Sequence, residues 1–268
     1  NSTVSGNSAN FRGGGIYNTG TANITSSTVS GNSADDYGGG IYNSYSGRAN
    51  ITNSTVSGNS ANYYDGGGIF NFGTANLSNS LITGNTATDS GNEVYNDARN
   101  GTVNADANNL FGDNNQSNAE AFDNFTPGSS DLTATSDGTT STALENILEV
   151  DGNGNPLLQD NGGATETIAL APNSPALDAG DNSQIPPDTF DLDGDGDTDE
   201  PIPFDQRGEG FDRVSNGTVD IGAVESSAGN IATISSLNTI SFDNDALTNP
   251  ALSLNQTEVN LLNESNNE

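Results

Sequence analysis

The chain has 268 residues, of which 31% are hydrophobic, and its formal net charge is −31 at pH 7. Lysine, cysteine, histidine, methionine and tryptophan are all absent, which excludes disulfides, thiolate or imidazole metal sites, and Ser-His or Cys-His catalysis. Such an acidic surface repels phosphate backbones and anionic lipid heads, and no apolar stretch reaches membrane-spanning length. We therefore expect no nucleic-acid binding and no direct membrane insertion.

A sequence repeat occupies roughly the first hundred residues. Its consensus is Gly-Gly-Gly-Ile-Tyr-Asn, then Ala-Asn-Ile-Thr, then Ser-Thr-Val-Ser-Gly-Asn, and it recurs every 25 to 28 residues. Four positions keep their phase in every copy: Tyr17, Tyr42, Phe70 and Tyr95; Asn18, Asn43, Asn71 and Asn96; Val4, Val29, Val56 and Ile82; Asn7, Asn32, Asn59 and Asn85. A fixed period of this length, built from short β-prone pieces, indicates a solenoid.

Each period contains three short β-prone segments, which in one copy are residues 15–17, 22–25 and 27–30. Three strands and three bends predict one coil of an all-β, right-handed, single-stranded parallel β-helix, a pectin-lyase-like solenoid. Stacking should place Ile24, Ile51 and Leu77 on top of one another inside the coils. The bend asparagines should form ladders of side-chain hydrogen bonds between coils.

The sequence divides into four predicted regions. Coils of the β-helix are expected over residues 1–113, and the repeat is already in phase at its first residue, which favours a chain that continues upstream. Residues 114–150 are expected to form an irregular loop or the last coils, and residues 151–225 a C-terminal cap. Residues 226–268 lack the repeat and are interpreted as a linker or the start of a further module. In the last recognisable copy, Val103-Asn104 is aligned with the Asn-Ile pair of the earlier copies.

The predicted cap has a physical purpose, because an open β-helix end exposes unpaired backbone groups and an apolar lumen. Five apolar residues are expected to cover that lumen: Leu157, Leu158, Ile168, Leu170 and Leu177. Three more are expected to add a last strand: Ile221, Ala223 and Val224. Arg207 lies in an acidic stretch and is interpreted as a latch that binds carboxylates or carbonyl oxygens.

Two resemblances rest on these motifs. The Gly-Gly-Gly-Ile-Tyr-Asn and Ser-Thr-Val-Ser-Gly-Asn repeats resemble bacterial right-handed parallel β-helix surface proteins, including polymorphic outer-membrane repeat proteins. The ordered blocks at 157–167, 169–180, 205–208 and 219–225 resemble the "choice-of-anchor Q" family of large exported bacterial proteins. This resemblance implies an extracellular or cell-surface location, and it brings no catalytic residues to this chain.

An acidic loop is the best candidate metal site in the sequence. Its candidate ligands are Asp191, Asp193, Asp195, Asp197 and Asp199, with Asp205 as a later one. Alternating carboxylates on a glycine-containing loop suit Ca²⁺, which takes six to eight oxygen ligands, and like charges this close repel one another without a cation. The loop resembles thrombospondin-type-3 and dockerin-like calcium loops, but its twelfth position is Ile202 and not the Glu of an EF-hand. The alternative is a solvated acidic loop.

A candidate ligand-binding face lies before the glycine triplets, where the chain carries Asp36, Tyr37, Tyr64 and Asp65. Aromatic and acidic residues stacked on one edge would suit a carbohydrate, although loop variation without a function is an equal alternative. The favoured function is a non-catalytic, calcium-stabilised extracellular or cell-surface protein that is adhesin-like or binds carbohydrate or another cell surface. The alternatives are a β-helix polysaccharide lyase or glycoside hydrolase, and a structural spacer of a large surface protein.

Overall fold

The computed structural model describes residues 1–226. The linker or further module predicted for the end of the chain lies outside the described residues from residue 227 onward. The described chain is nearly all β-structure, and its strands form stacked coils. The first coil contains β1 (Ser2–Ser5), β2 (Ser8–Ala9), β3 (Ile16–Asn18) and β4 (Thr21–Thr25). The second contains β5 (Ser27–Ser30), β6 (Ser33–Ala34), β7 (Ile41–Asn43) and β8 (Arg48–Thr52). The third contains β9 (Thr55–Ser57), β10 (Ser60–Ala61), β11 (Ile69–Asn71) and β12 (Thr74–Ser78).

The last coils become less regular. The fourth contains β13 (Leu81–Thr83), β14 (Thr86–Ala87), β15 (Val94–Asn96) and β16 (Thr102–Asn104). The fifth contains β17 (Leu110–Phe111), a one-turn helix α1 (Asn118–Ala121) and β18 (Phe122–Asp123), after which β19 (Leu132–Thr133) follows. Because β18 pairs with β15 and β19 pairs with β17, part of the stretch 114–150 continues the coils.

Each strand pairs in parallel with its equivalent in the next coil, so the chain is a parallel β-helix of about five turns with four sheets. Sheet A has the order β1-β5-β9-β13-β17-β19, sheet B the order β14-β10-β6-β2, sheet C the order β18-β15-β11-β7-β3, and sheet D the order β16-β12-β8-β4. The sequence analysis predicted three strands per coil, whereas the structure has four. The missed strand is the Ser-Ala pair of sheet B, whose small Ala34 and Ala61 face the interior with almost no exposed surface.

The predicted register is confirmed, because the repeat stacks like residues on like. Ile24 pairs with Ile51, and Ile51 with Leu77. The series of Val4, Val29, Val56 and Ile82 is aligned in sheet A. These side chains fill the interior of the coils. The apolar core is thin, but it is continuous because each coil shares it with its neighbours.

The predicted asparagine ladders are also confirmed. Within each ladder the Nδ2 of one asparagine donates to the Oδ1 of its equivalent one coil on, at 2.9 Å from Asn32 to Asn59 and at 2.8 Å from Asn43 to Asn71, and the first of these ladders ends where Asn85 donates to Glu93 at 2.6 Å. In the Ser-Gly-Asn bends it is the glycine that takes the left-handed backbone conformation, as at Gly58 with φ of 69°. Glycine adopts this conformation at little cost, which leaves the asparagine side chain free to bond along the stack.

The register of the last full coil differs from the prediction. Val103 pairs with Ala75 and Asn104 with Asn76, so Val103-Asn104 is equivalent to the Ala-Asn pair and not to Asn-Ile. The outward Asn104 side chain donates to Asn76 at 2.8 Å, and this bond fixes the register. Ala105 then takes the interior position that Leu77 holds one coil earlier.

The C-terminal region covers a side of the β-helix, so the prediction that it caps the open end was wrong. Residues 144–226, here called the flanking layer, pack against the outer face of sheet A. Their apolar side chains form a cluster with Leu81 and Leu110, which point outward from that sheet and are fully buried. Leu158, Ile168, Leu170 and Leu177 belong to or pack on this outer cluster, and the interior cluster does not include them.

Polar contacts tie the flanking layer to several coils. Thr28 Oγ1 lies 2.6 Å from Gln206 Oε1, the Ala223 N–H donates to Thr55 Oγ1 at 3.1 Å, and the Gly222 N–H donates to the Asn79 carbonyl at 2.9 Å. The stretch from Ile221 to Val224 makes these contacts without forming a regular strand, so the prediction of a last strand there was also wrong. Leu144–Asn146 and Asn182–Gln184 are short 3₁₀ turns.

Aromatic rings fill the interior at the last coil. Phe111, Phe122 and Phe125 meet edge to face, with ring centroids 5.4 to 5.8 Å apart. Edge-to-face pairs of this kind add about 0.5–1.5 kcal/mol beyond the area that they bury. These rings occupy the position that the predicted cap was expected to cover.

Candidate functional site

The outward face of sheet C carries a continuous stack of aromatic rings. Alternation along each strand points Ile41 and Asn43 inward and the residue between them outward, and coil stacking repeats that position. Tyr17 stacks on Tyr42 with ring centroids 5.1 Å apart and an interplanar angle of 8°. Phe70 continues the stack, at 5.1 Å from Tyr42 and 4.6 Å from Tyr95.

Further aromatic pairs flank this stack. Tyr37 and Tyr64 stack with centroids 5.1 Å apart, and Tyr37 also meets Phe70 at 4.9 Å. Tyr45 and Phe72 form another pair at 6.0 Å. The stack and the flanking residues enclose an open groove of about 500 Å³, here called the aromatic groove, whose lining residues are Arg12, Tyr17, Tyr37, Tyr42, Ser44, Tyr45, Asp65, Phe70, Phe72, Tyr95 and Asp97.

Charged groups stand at the edges of the aromatic groove. The Arg12 guanidinium lies over the rings of Tyr37 and Tyr42, at 5.6 and 5.2 Å from their centroids. Burial raises the pKa of the Asp65 carboxyl, and the carboxylates of Asp89 and Asp123 raise it further. The Ser90 hydroxyl lies 2.8 Å from Asp65 and 2.9 Å from Asp123, so it links the two carboxyl groups.

Of the four residues expected to form a ligand-binding face, the structure brings three together. Tyr37 and Asp65 line the aromatic groove, and Tyr64 stacks on Tyr37. Asp36 does not line it. The repeat had placed Tyr17, Tyr42, Phe70 and Tyr95 at one equivalent position, and the sequence analysis missed Tyr45 and Phe72. Their signal was an aromatic residue two or three positions after Tyr42 and Phe70.

The acidic loop gathers its carboxylates at the base of a turn closed by a bridge between Pro187 and Pro201. One group of three carboxylates contains Asp191, Asp193 and Asp195, and a second contains Asp188, Asp193 and Glu200, with the candidate ligand atoms of each group within 4.8 Å of one another. Backbone N–H groups two residues ahead donate to Asp193, Asp195 and Asp197 at 2.8 to 3.2 Å, which wraps the chain around the acids.

Glu200 is the residue of this loop whose hydrogen bonding is incomplete. Its Oε1 atom is buried and has no hydrogen-bond partner within residues 1–226. Burial raises the pKa of the Glu200 carboxyl, and the charges of Asp195 and Asp193 raise it further. A buried oxygen without a donor is costly, and a bound cation would satisfy it. Calcium accepts carboxylate oxygens in flexible geometry, so this donor set fits it.

The six candidate ligands named from the sequence separate in the structure. Asp191, Asp193 and Asp195 come together, whereas Asp197 and Asp199 belong to neither group of three. Sequence reasoning missed Asp188 and Glu200, although both stand next to the prolines that close the loop. Asp188 is buried, and its carboxylate accepts the N–H of Leu192 at 2.6 Å.

Asp205 lies away from this loop and serves the flanking layer. Its carboxylate forms an ion pair with Arg207, with the closest N–O distance 2.6 Å, and it accepts the Glu225 N–H at 2.8 Å. The Arg207 guanidinium also donates to the Glu225 carbonyl and lies 4.1 Å from the Phe211 ring centroid. The prediction that Arg207 is a latch for carboxylates and carbonyls is confirmed, and Asp205 is one of its partners.

Comparison with protein families, with curated proteins and with solved structures found no match for this chain. Within residues 1–226, no helix combines the length and the hydropathy needed to cross a bilayer. The fold and the geometry of the two surfaces described above are therefore the basis for a functional proposal.

Proposed function

We propose that this chain is a non-catalytic, extracellular or cell-surface β-helix that binds carbohydrate in the aromatic groove and is stabilised by calcium at the acidic loop. The aromatic groove is the single observation that carries the proposal. Tyr17 and Tyr45, which are 53% and 69% exposed, each present an apolar ring face and a polar tip, which suits the alternating C–H and hydroxyl surfaces of a sugar ring, whereas Tyr42 and Phe70 are buried within the stack. An adhesin-like role at a cell surface agrees with the acidic composition and with the family resemblance of the repeats.

The electrostatics of the groove narrow the carbohydrate to neutral chains. Asp65 and Asp97 line it, Arg12 is the one cation among its lining residues, and the whole chain has a net charge of −31. A uronate or sulfated polymer would be repelled by this field. The lining of the groove extends over four coils, from Tyr17 to Tyr95, at a coil spacing of about 4.8 Å, which favours an elongated ligand over a single sugar.

The binding test is a glycan array followed by calorimetry with each neutral oligosaccharide that gives a signal. Tyr45 is 69% exposed and lines the groove, and Tyr63 is 62% exposed and does not line it. We expect Tyr45→Ala to weaken binding by about tenfold, equivalent to about 1.4 kcal/mol, and Tyr63→Ala to leave it unchanged. Equal behaviour of the two variants would contradict the site. Release of reducing ends or unsaturated sugars, lost in Asp65→Asn, would contradict the non-catalytic assignment.

The calcium test uses thermal unfolding with and without chelator. Calcium at about 100 times its Kd stabilises the folded state by about 2.7 kcal/mol, which corresponds to a rise of roughly 5–10 °C in Tm for a domain of this size. Asp193 is common to both carboxylate groups, so Asp193→Ala should abolish the rise. Asp137→Ala is the matched control outside the loop. A Tm that calcium does not change in the wild-type protein would remove the cation from the proposal.

A further inference from the structure

A second groove runs along the outward face of sheet D. It consists of two depressions of about 610 and 510 Å³, which adjoin each other at Asn50 and Thr52. Its floor is the β-helix, and the second depression is walled by Pro187, Phe190 and Leu192 from the acidic loop and its entry. We call the two adjoining depressions together the asparagine groove.

The floor of the asparagine groove is a ladder of amides whose hydrogen-bonding capacity is half used. The Nδ2 of Asn50 donates to Asn23 and that of Asn76 to Asn50, each at 2.7 Å, and Asn104 donates to Asn76 at 2.8 Å. An amide has two N–H donors and two acceptor lone pairs, so Asn50 and Asn76 each keep one donor and one acceptor position for a ligand.

The buried ladders show that this incomplete bonding is particular to the outer one. Asn43 Nδ2 donates to Asn71 at 2.8 Å and also to the carbonyl oxygens of Thr74 and Gly47, at 3.0 and 3.2 Å. No such second set of partners exists for Asn50 or Asn76 within the described residues. The outer amides are therefore ordered by one another and still available, which is the preorganised state that binding favours.

The wall of the groove exposes apolar surface. The Phe190 side chain is 85% exposed, the highest value for a large apolar residue within residues 1–226, and Leu192 is 45% exposed. Their backbone N–H groups donate to the buried Asp188 carboxylate, at 3.3 Å from Phe190 and 2.6 Å from Leu192. Asp188 also belongs to the carboxylate group with Asp193 and Glu200. The acidic loop and the groove wall are thus fixed by one side chain.

The chemistry of the groove selects the class of ligand. The floor is the face of a sheet whose backbone groups bond from coil to coil, so an extended peptide cannot add to it as a strand. Nearby carboxylates repel anions. Uncharged amides and the Thr25 and Thr52 hydroxyls suit a partner rich in hydroxyl groups, and the Phe190 ring suits the apolar face of a sugar.

We infer that the asparagine groove is a second binding site for a neutral glycan chain, separate from the aromatic groove, with a wall that the acidic loop holds in place. This inference depends on the proposed function in one respect only, which is the cation proposed for the acidic loop. Sheet C presents rings and sheet D presents amides, so the two sites hold a glycan by different chemistry and respond to different substitutions.

The test probes an array of neutral, unbranched oligosaccharides and then measures each hit by calorimetry, in calcium and after chelation with EGTA. The variants are Phe190→Ala for the wall, Asn50→Ala for the floor, Tyr45→Ala for the aromatic groove and Tyr63→Ala as the exposed control. Thermal unfolding of each variant confirms that it is folded. Because Phe190 and Tyr63 are both largely exposed, neither truncation removes core packing.

We expect at least one glycan whose affinity falls about tenfold in Phe190→Ala and in Asn50→Ala, is unchanged in Tyr45→Ala, and falls on chelation in the wild-type protein. If no glycan responds to Phe190→Ala and Asn50→Ala, the inference is overturned, and the response to Tyr45→Ala still decides the aromatic groove independently. If a glycan responds to both variants but binds equally after chelation, the link between the acidic loop and the wall is overturned.

Discussion

Replacement of Asn59 by alanine tests the buried ladder on which the stack of coils depends. Asn59 is 1% exposed and lies in the middle of its ladder. Its Oδ1 accepts the Asn32 backbone N–H at 3.0 Å and the Asn32 Nδ2 at 2.9 Å, and its Nδ2 donates to Asn85 at 2.9 Å and to the Val29 carbonyl at 3.0 Å. Asn59→Ala removes these four bonds and a fifth, from Nδ2 to the Ser57 carbonyl at 3.3 Å, and leaves their partners in the interior.

The size of the effect follows from those partners. A buried group left without its partner costs about 1–3 kcal/mol, and the Asn32 backbone N–H has no other acceptor among the described residues. Allowing for relaxation of the remaining amides, we expect Asn59→Ala to lower the free energy of unfolding by about 3–5 kcal/mol. At about 2–4 °C per kcal/mol, Tm should fall by roughly 6–20 °C.

The matched control is Asn50→Ala in the outer ladder. It breaks two amide bonds, those to Asn23 and Asn76, but water replaces them on the open face. We expect a loss of about 1 kcal/mol or less. Differential scanning calorimetry measures both variants beside the wild-type protein. If the two lose the same stability, the ladders do not act through burial and the reasoning is refuted.

Three further substitutions test other parts of the fold. Leu81 lies in the cluster between sheet A and the flanking layer, so Leu81→Ala should lower the free energy of unfolding, measured by chemical denaturation, by about 2–5 kcal/mol. Leu192→Ala, at a part-exposed position, is the control, and an equal or larger loss in that variant would contradict the lateral packing. Gly39→Ala should lower the free energy of unfolding by about 3 kcal/mol, because the added Cβ would overlap the Ser60 and Gly67 carbonyls. Gly20→Ala is the control, because there is open space around Gly20. Equal stabilities of the two variants would refute this close approach. Burial raises the pKa of the Glu93 carboxyl from 4.5 to about 8, so the contribution of Glu93 to stability is full below about pH 4.5 and is lost as the pH rises towards 8. Unfolding measured between about pH 5 and pH 8 should show a smaller decline in Glu93→Gln, and parallel curves for variant and wild type would refute the shift.

The repeat allowed the β-helix and its register to be predicted because stacking relates equivalent residues of successive copies. Ile24, Ile51 and Leu77 are neighbours for the same reason that they share a position in the repeat. The short strand of sheet B escaped notice because two residues of Ser-Ala have little β-propensity. Their strand conformation is imposed by pairing with the coils on either side.

The position of the C-terminal region could not be derived from the repeat, because that region packs on a face and has no equivalent in neighbouring copies. One signal was nevertheless present. The outward position of sheet A is threonine at Thr28 and Thr55 and becomes leucine at Leu81 and Leu110. An outward position that turns apolar marks a covered face. Asp188 and Glu200 could not be predicted for a related reason. They reach the other carboxylates because the two ends of the acidic loop come together, and they are not part of the regular spacing of its aspartates.

The location of the flanking layer determines which surfaces of the β-helix remain for binding. Sheet A is covered along several coils, so its outward Thr28 and Thr55 are buried. The aromatic face of sheet C and the amide face of sheet D remain, and the acidic loop of the flanking layer stands beside the second of these. Over the first four coils each face repeats one chemistry, at a spacing of about 4.8 Å. Such arrays match a linear polymer with its own repeat, because each added unit of ligand meets another copy of the same side chain. If both grooves bind neutral glycans as proposed, we expect both to favour chains over single sugars and expect rings and amides to give the two grooves different preferences.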